Sequence, residues 1–278
     1  MTGLEGLAAV VLAGGVSSRF GSNKLLYRIG GETILDRVWR VVANTADSIY
    51  LAVRSKKQAE MLTGTCDVNP SRVVIDDRSL GCQGPVAGIL SAALKIRPRY
   101  LLTIPGDMPF IERHPLRRFI EVTISEGAKA GSIMVERGVP AILLQLHETR
   151  WILGRGLKIS RIRMRDVRAS DLLRFAPSLV LVGAGSIGEN PMVFRNVNRP
   201  DDLKQVIKSA ELPKGLWRLA YGWRGWEGVE LFHRGMYGPA AHVFLKEGGY
   251  YRGKDVNLLA VHSYVDAWIS WKASARVR

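Results

Sequence analysis

The chain has 278 residues, 47% hydrophobic and 23% charged, which is enough to bury a full core as one large domain or as a domain with an appendage. A formal net charge of +15 draws anions at long range and leaves nucleic acid, a nucleotide with a phosphorylated acceptor, and a membrane surface open as partners. The apolar run Leu7 to Ala13 ends in two glycines, well short of a signal or membrane-spanning segment, so a cytoplasmic protein with no membrane partner is expected. Cys66 and Cys82 form no C-x-x-C pair and have no histidines at zinc-ligand spacing.

Short β-type runs alternate with helix-period segments through roughly the first 200 residues, which predicts a three-layer α/β/α, Rossmann-like domain around a mostly parallel sheet. Ala8 to Ala13 reads as the first strand. A helix follows, with Ile34, Leu35, Val38 and Val42 on one face, and then strands at Ile49 to Val53 and Val73 to Ile75. Val86, Ile89, Leu90, Ala93 and Leu94 recur at helical spacing. The strand Tyr100 to Ile104 runs into Pro105-Gly106-Asp107-Met108-Pro109, placing an acidic residue at a strand's carboxyl end, where ligands of open α/β sheets gather. Leu116, Phe119, Ile120 and Ile124 mark another helix. Ser132 to Val135 and Ile142 to Leu146 are strands for which antiparallel pairing is open.

From Arg150 to Arg174 eight basic residues face only Asp166 and Asp171, a stretch that fits either an acceptor's phosphate or a solvated helix face. Leu179 to Val182 and Met192 to Phe194 return to strand character, and Pro200 opens a helix with Leu203, Val206 and Ile207 on its apolar face. Five of the seven tryptophans lie after residue 213. A helix is predicted over Pro239 to Glu247, stopped by Gly248-Gly249, with a second carrying an apolar stripe of Leu258, Val261, Val265 and Trp268. The division expected is a catalytic domain over 1–212 and a helical, Trp-rich extension over 213–278. That extension is expected to pack on the domain or on another copy of the chain, which leaves a homo-oligomer open. His114, His147, His233, His242 and His262 form no ligand pair.

The chemistry concentrates in the run Leu12-Ala13-Gly14-Gly15-Val16-Ser17-Ser18-Arg19-Phe20-Gly21-Ser22-Asn23-Lys24. Gly14 and Gly15 let backbone N–H groups turn toward one anion, and Arg19 and Lys24 add two cations within one glycine-punctuated loop. This suits a triphosphate whose leaving pyrophosphate gains charge during transfer. The spacing matches neither a Walker A loop nor a G-x-G-x-x-G dinucleotide turn.

The loop resembles the signature of glycosyltransferase-A-like nucleotidyltransferases, and within them the molybdenum cofactor guanylyltransferase (MobA-type) family. Asp77 followed by Gly84-Pro85-Val86-Ala87-Gly88, the run Gly106-Asp107-Met108-Pro109-Phe110, and Asn198-Arg199-Pro200-Asp201-Asp202-Leu203 resemble later motifs of that family. The resemblance implies Mg²⁺-dependent transfer of GMP from GTP to the phosphate of molybdopterin, with pyrophosphate released. It implies catalytic roles for Arg19, Lys24 and Asp107, nucleotide contacts from Leu12, Ala13, Gly14, Gly15, Ser17, Asp77, Gly84 and Pro85, and Mg²⁺ ligation by Asp107 and Asn198. Asp107 offers the hard oxygens that Mg²⁺ prefers, whereas Asn198 before a helix is also a natural N-cap. Asp77 is placed to accept from guanine, with Asp76 as its alternative.

Where the family commonly carries an asparagine that helps hold the base, this chain reads Ala52-Val53-Arg54-Ser55-Lys56, which leaves the base open. Guanylylation of adenosylcobinamide phosphate and cytidylylation of molybdopterin share the loop and the aspartate and stay open as alternatives. From a different class, a non-catalytic basic protein binding nucleotide or RNA is disfavoured, because it has no chemical need for Arg19, Lys24 and Asp107 together. Nucleic acid is therefore not the expected partner.

Overall fold

The computed structural model describes residues 5–15, 23–161, 166–188, 190–203 and 212–277. The chain begins with β1 (Leu7–Leu12), then a small hairpin of β2 (Arg28–Ile29) and β3 (Glu32–Thr33), α1 (Ile34–Ala43), β4 (Ser48–Val53), α2 (Lys56–Thr63) and β5 (Val73–Ile75). It continues through α3 (Pro85–Ile96), β6 (Tyr100–Pro105), α4 (Arg113–Ser125), β7 (Ala130–Glu136) and β8 (Val139–Glu148). A short helical stretch holds α5 (Thr149–Trp151), a π-helical turn over Ile152–Gly156 and α6 (Leu157–Arg161), and is followed by α7 (Ala169–Arg174) and β9 (Leu179–Gly183). Last come β10 (Leu216–Leu219), α8 (Gly222–His233), α9 (Tyr237–Gly253) and α10 (Asn257–Val277).

Eight strands form one sheet in the order β10-β9-β7-β8-β6-β1-β4-β5. β1 pairs in parallel with both β4 and β6, and β9 in parallel with β7, while β8 and β10 run against their neighbours. The chain leaves β1 for β4 on one side and returns through α3 to β6 on the other. The carboxyl ends of β1 and β6 therefore flank a point where the strand order reverses, the place where open α/β sheets bind ligands. β1 is buried along nearly its whole length, as a central parallel strand with helices over both faces must be.

Each face has its own core. Ile34, Leu35, Val38 and Val42 of α1 pack with Leu116, Phe119 and Ile120 of α4 on one side, as the helical spacing predicts. Ile89 and Leu90 of α3 pack with Leu172 and Leu173 of α7 and Leu259 of α10 on the other. α1 starts where the Thr33 hydroxyl accepts the Asp36 N–H at 3.0 Å. α3 starts at Gly84, whose φ of +66° requires glycine, with Pro85 in its first turn.

Four expectations need correction. Met192 to Phe194, read as a strand, lies in a 3-10 turn over Pro191–Phe194 that Asn190 opens by accepting the Met192 N–H at 3.0 Å. The helix after Pro200 is described as a 3-10 turn over Pro200–Leu203, while Val206 and Ile207 lie outside the described residues. Gly248-Gly249 does not stop a helix, because α9 runs through both to Gly253. The Tyr264 ring of α10 occupies the space that a side chain on Gly248 would need, so this glycine permits close packing of α9 on α10. The stripe that includes Val261 and Trp268 faces outward: these residues are 54% and 54% exposed, and α10 buries Leu259, Ala260, Ser263, Asp266, Ala267 and Ser270 instead.

β10, from the segment assigned to the extension, adds an edge strand to the sheet. α8 and α9 share a small core of Trp226, Val229, Ala240 and Phe244 with Ile159 and Phe175. Beside it Arg174 is fully buried and pairs with Asp171 (3.2 Å), Asp266 (2.8 Å) and Glu247, so α7 is joined to α9 and α10 by charge as well as by packing. Among the described residues no helix is long and apolar enough to cross a membrane.

Candidate active site

A cavity of about 720 Å³ opens at the carboxyl ends of β1, β4 and β6. The backbone ladder extends past the strands to build its floor. The Ala13 N–H donates to Ala52 O (2.8 Å), the Asp76 N–H to Val53 O (2.9 Å) and the Gly106 N–H to Leu12 O (3.0 Å), so the four loops leave the sheet side by side.

Leu12, Ala13, Gly14, Gly15, Lys24, Asp77, Gly84, Pro85 and Asp107, all singled out from sequence, line this one cavity. Ser17 and Arg19 fall in residues 16–22, outside the described residues. Lys24 opens a 3-10 turn that Asn23 caps by accepting the Leu25 N–H at 3.1 Å, and the buried Leu25 side chain anchors that turn beneath the cavity.

The Lys24 ammonium ion-pairs with Asp107 and donates to Val197 O at 3.3 Å and Asn198 Oδ1 at 3.4 Å. The Asp107 carbonyl in turn accepts the Val197 N–H at 2.8 Å, which holds the Asn198 segment against the end of β6. The Asp202 carboxylate accepts the N–H groups of both Asn198 (2.7 Å) and Arg199 (2.8 Å), and the Asn198 amide oxygen faces Lys24. Three oxygens thus converge on one cation, a hard donor set that also suits Mg²⁺.

The opposite end of the cavity holds two carboxylates in different environments. Asp77 is exposed and accepts the Ser79 N–H at 2.9 Å, and hydrogen bonding to the Ser79 side chain, then to this N–H, holds its carboxyl below the ordinary range. Asp76 is half-buried, and burial pushes its carboxyl up to about 6, with Arg54 opposing the shift. Cys82 lines the same end as a free thiol, pushed up by burial and by the two carboxylates.

Sequence reasoning missed Gln58. Its side chain accepts the Arg54 N–H at 3.0 Å and donates to Ala13 O at 2.7 Å, tying the loop after β4 to the loop after β1. The signal was the run Ser55-Lys56-Lys57-Gln58 at the start of α2, where Ser55 accepts the Gln58 N–H at 3.3 Å.

The basic stretch after Arg150 does not act as one surface. Arg174 belongs to the buried cluster, and Arg155 lies over the Trp226 ring and donates to Phe175 O. Arg150 and Lys158 are exposed, while residues 162–165 lie outside the described ones. His147 is wholly buried beside Gln145, and burial lowers its imidazole to about 3, so it stays neutral and away from the cavity.

Residues 9–195 match the family model of the MobA-like NTP transferase domain. The chain belongs to this family. As a member it is a nucleotidyltransferase, using a nucleoside triphosphate, with the three C-terminal helices added beyond the matched segment. It is 30% identical over 211 residues to a "Probable molybdenum cofactor guanylyltransferase" of Pyrococcus horikoshii, covering 71% of this chain and 97% of that protein. It is 24% identical over 203 residues to a protein of the same description in a Geobacillus strain, covering 72% of this chain and 98% of the relative. The crystal structure of molybdopterin-guanine dinucleotide biosynthesis protein A from Archaeoglobus fulgidus has the same fold, with a TM-score of 0.58 at 22% identity over 71% of this chain and 95% of that one.

Proposed function

We propose that this nucleotidyltransferase moves GMP from GTP onto the phosphate of molybdopterin, releasing pyrophosphate, with Mg²⁺ as its metal. The observation that carries the reading is the convergence of Lys24, Asp107 and Asn198 at the rim of a nucleotide-sized cavity whose other wall is the Gly14-Gly15 backbone. Relatives described as molybdenum cofactor guanylyltransferases supply the acceptor.

In this reaction an oxygen of the acceptor phosphate attacks the α-phosphorus, and the bond from that phosphorus to the bridging oxygen of pyrophosphate breaks. The nucleophile is already an anion, so no side chain has to remove a proton. Backbone N–H groups of Gly14 and Gly15 hold the phosphates, and Lys24 and Arg19 neutralise charge developing on the leaving group. Asp107 and Asn198 would hold Mg²⁺, which supplies Lewis-acid polarisation of phosphate oxygens when bound. Positioning and electrostatics carry most of the rate in phosphoryl chemistry, which is why one carboxylate, one amide and two cations suffice.

The test is pyrophosphate release from GTP with Mg²⁺ and molybdopterin, and recovery of the dinucleotide product. Asp107→Ala should reduce turnover by about a hundred- to a thousandfold, the scale seen when one electrostatic stabiliser is removed. Release from CTP but not GTP, or with adenosylcobinamide phosphate but not molybdopterin, would overturn the substrate assignment.

A further inference from the structure

The rung at which β1 and β4 part is made by a side chain. The two strands pair in parallel up to Leu12 and Ala52, and the Ala13 N–H still donates to Ala52 O at 2.8 Å. In an evenly spaced parallel ladder the next bond would run from the Arg54 N–H to Ala13 O. Instead the Gln58 amide stands between them, its Oε1 accepting the Arg54 N–H at 3.0 Å and its Nε2 donating to Ala13 O at 2.7 Å. A donor on one side and an acceptor on the other allow only this orientation of the amide. It acts as an inserted peptide unit that keeps both backbone groups paired while the strand ends spread by the width of an amide.

The inserted amide also fixes a direction. Leu12 O accepts from Gly106 after β6, whereas the N–H and carbonyl of Ala13 both face the β4 side, the alternation expected along a parallel strand. The Ala13–Gly14 peptide is trans, so its N–H points opposite to the carbonyl that Gln58 holds. The Gly14 N–H is therefore turned away from α2 and toward the end of β6, where Asp107 and Lys24 meet. Among the described residues nothing accepts this N–H, and Gly14 lines the cavity whereas no residue of α2 does. A cavity-lining donor held in place without an acceptor points to an acceptor on the ligand.

We propose that Gln58 is a positioning residue for nucleotidyl transfer: by holding Ala13 O, its amide aims the Gly14 N–H at the phosphates and sets the gap between the loops after β1 and β4. This rests on the reading that the Gly14-Gly15 backbone takes the phosphates of a nucleoside triphosphate. Gln58 touches no substrate and acts through the peptide it holds. Two adjacent glycines leave that backbone free to turn, and a donor set in advance needs no reorganisation as charge develops on the phosphates.

The experiment is calorimetric binding of Mg²⁺-GTP, Mg²⁺-CTP and Mg²⁺-pyrophosphate to the full chain and to Gln58→Leu and Gln58→Glu at pH 7.5, with the Gly14 amide followed by ¹⁵N-resolved NMR. Leucine keeps bulk and removes both bonds. Glutamate can still accept from Arg54 but sets a second oxygen against Ala13 O. Gln58→Leu should weaken every one of these ligands that the unaltered chain binds by a similar factor, about three- to tenfold, and Gln58→Glu by at least as much. The shift of the Gly14 amide on adding Mg²⁺-GTP should be lost in both. Gly248→Ala, which crowds Tyr264 in the C-terminal helices, is the destabilised control and should keep both the affinities and the shift.

Unchanged affinities and an unchanged Gly14 shift in Gln58→Leu would overturn the inference. A loss for GTP without one for pyrophosphate would do the same by placing Gln58 at the base, as would an equal loss in Gly248→Ala, since general destabilisation would then suffice. The expected pattern without pyrophosphate release on any tested acceptor would sink the acceptor assignment above and leave the role of Gln58 standing. No binding of any of the three ligands by the unaltered chain would overturn both.

Discussion

Asp76→Asn should stabilise the protein, and the size of the effect follows from the carboxylate's surroundings. Burial raises its carboxyl from the ordinary 3.8 to about 6. The native state therefore holds a proton in that window which the unfolded chain has already released. Stability must fall as pH rises from about 4 to about 6 and then level off, because above both values the native state carries a charge that its setting disfavours. At about 1.36 kcal/mol per pH unit the full difference is about 3 kcal/mol. The side chain is only partly withdrawn from water, so screening leaves an expected cost of about 1 kcal/mol.

Asparagine keeps the shape and does not titrate. Urea unfolding of both proteins should show the variant about 1 kcal/mol more stable at pH 7.5, with the advantage shrinking to nothing near pH 4. Arg54 favours the Asp76 charge and offsets part of the burial cost, and that attraction is lost in the variant, so the expected difference is the net of the two. A variant less stable than the parent at pH 7.5, or an advantage that does not change with pH, would refute the account of Asp76 as a disfavoured charge.

Lys24→Ala removes a charge-assisted contact and should weaken GTP binding roughly 10- to 100-fold by calorimetry, in line with about 1.5–3 kcal/mol for a hydrogen bond to a charged group. Arg174→Met should cost about 3–5 kcal/mol in urea unfolding, because it leaves Asp171, Glu247 and Asp266 buried without their cation. Adjacent glycines of α9 should respond with opposite signs in thermal melts. Gly248→Ala meets the Tyr264 ring and should destabilise by about 1–3 kcal/mol. Gly249→Ala faces open space and should stabilise by about 0.5–1 kcal/mol through helix propensity.

What was legible in the sequence was local. Ile34, Leu35, Val38 and Val42 announced α1 because a 3.6-residue period is written along the chain, and Gly14, Asp107 and Gly84 announced the cavity because the chemistry demands those residue types near strand ends. What was not legible depends on contacts distant in sequence. Gly248 looked like a helix stop until Tyr264 was seen beside it, and Arg174 looked like an acceptor-binding cation until Glu247 and Asp266, over 70 residues away, closed around it. The stripe that includes Val261 and Trp268 misled for the same reason, since α10 buries the serine-, alanine- and aspartate-bearing face that receives α9 and Arg174. Asp76 and Asp77 are neighbours with like side chains, and burial of the one and exposure of the other, together with the Ser79 N–H, separate them.

The cleft's own charges bear on which way a nucleotide would lie, something the net charge of +15 cannot do. A distant positive field brings a triphosphate to the protein and weakens as salt shortens its reach to about 10 Å at 0.1 M. Inside the cavity the two ends differ: Lys24 stands at one, and Asp76 and Asp77 at the other. A phosphate charge about 4 Å from either carboxylate would meet roughly 4 kcal/mol of repulsion at an effective dielectric of about 20, whereas beside Lys24 it meets an attraction that the paired Asp107 partly offsets. The expected orientation therefore puts the triphosphate toward Lys24, and a nucleotide bound with its phosphates against Asp76 and Asp77 would refute it.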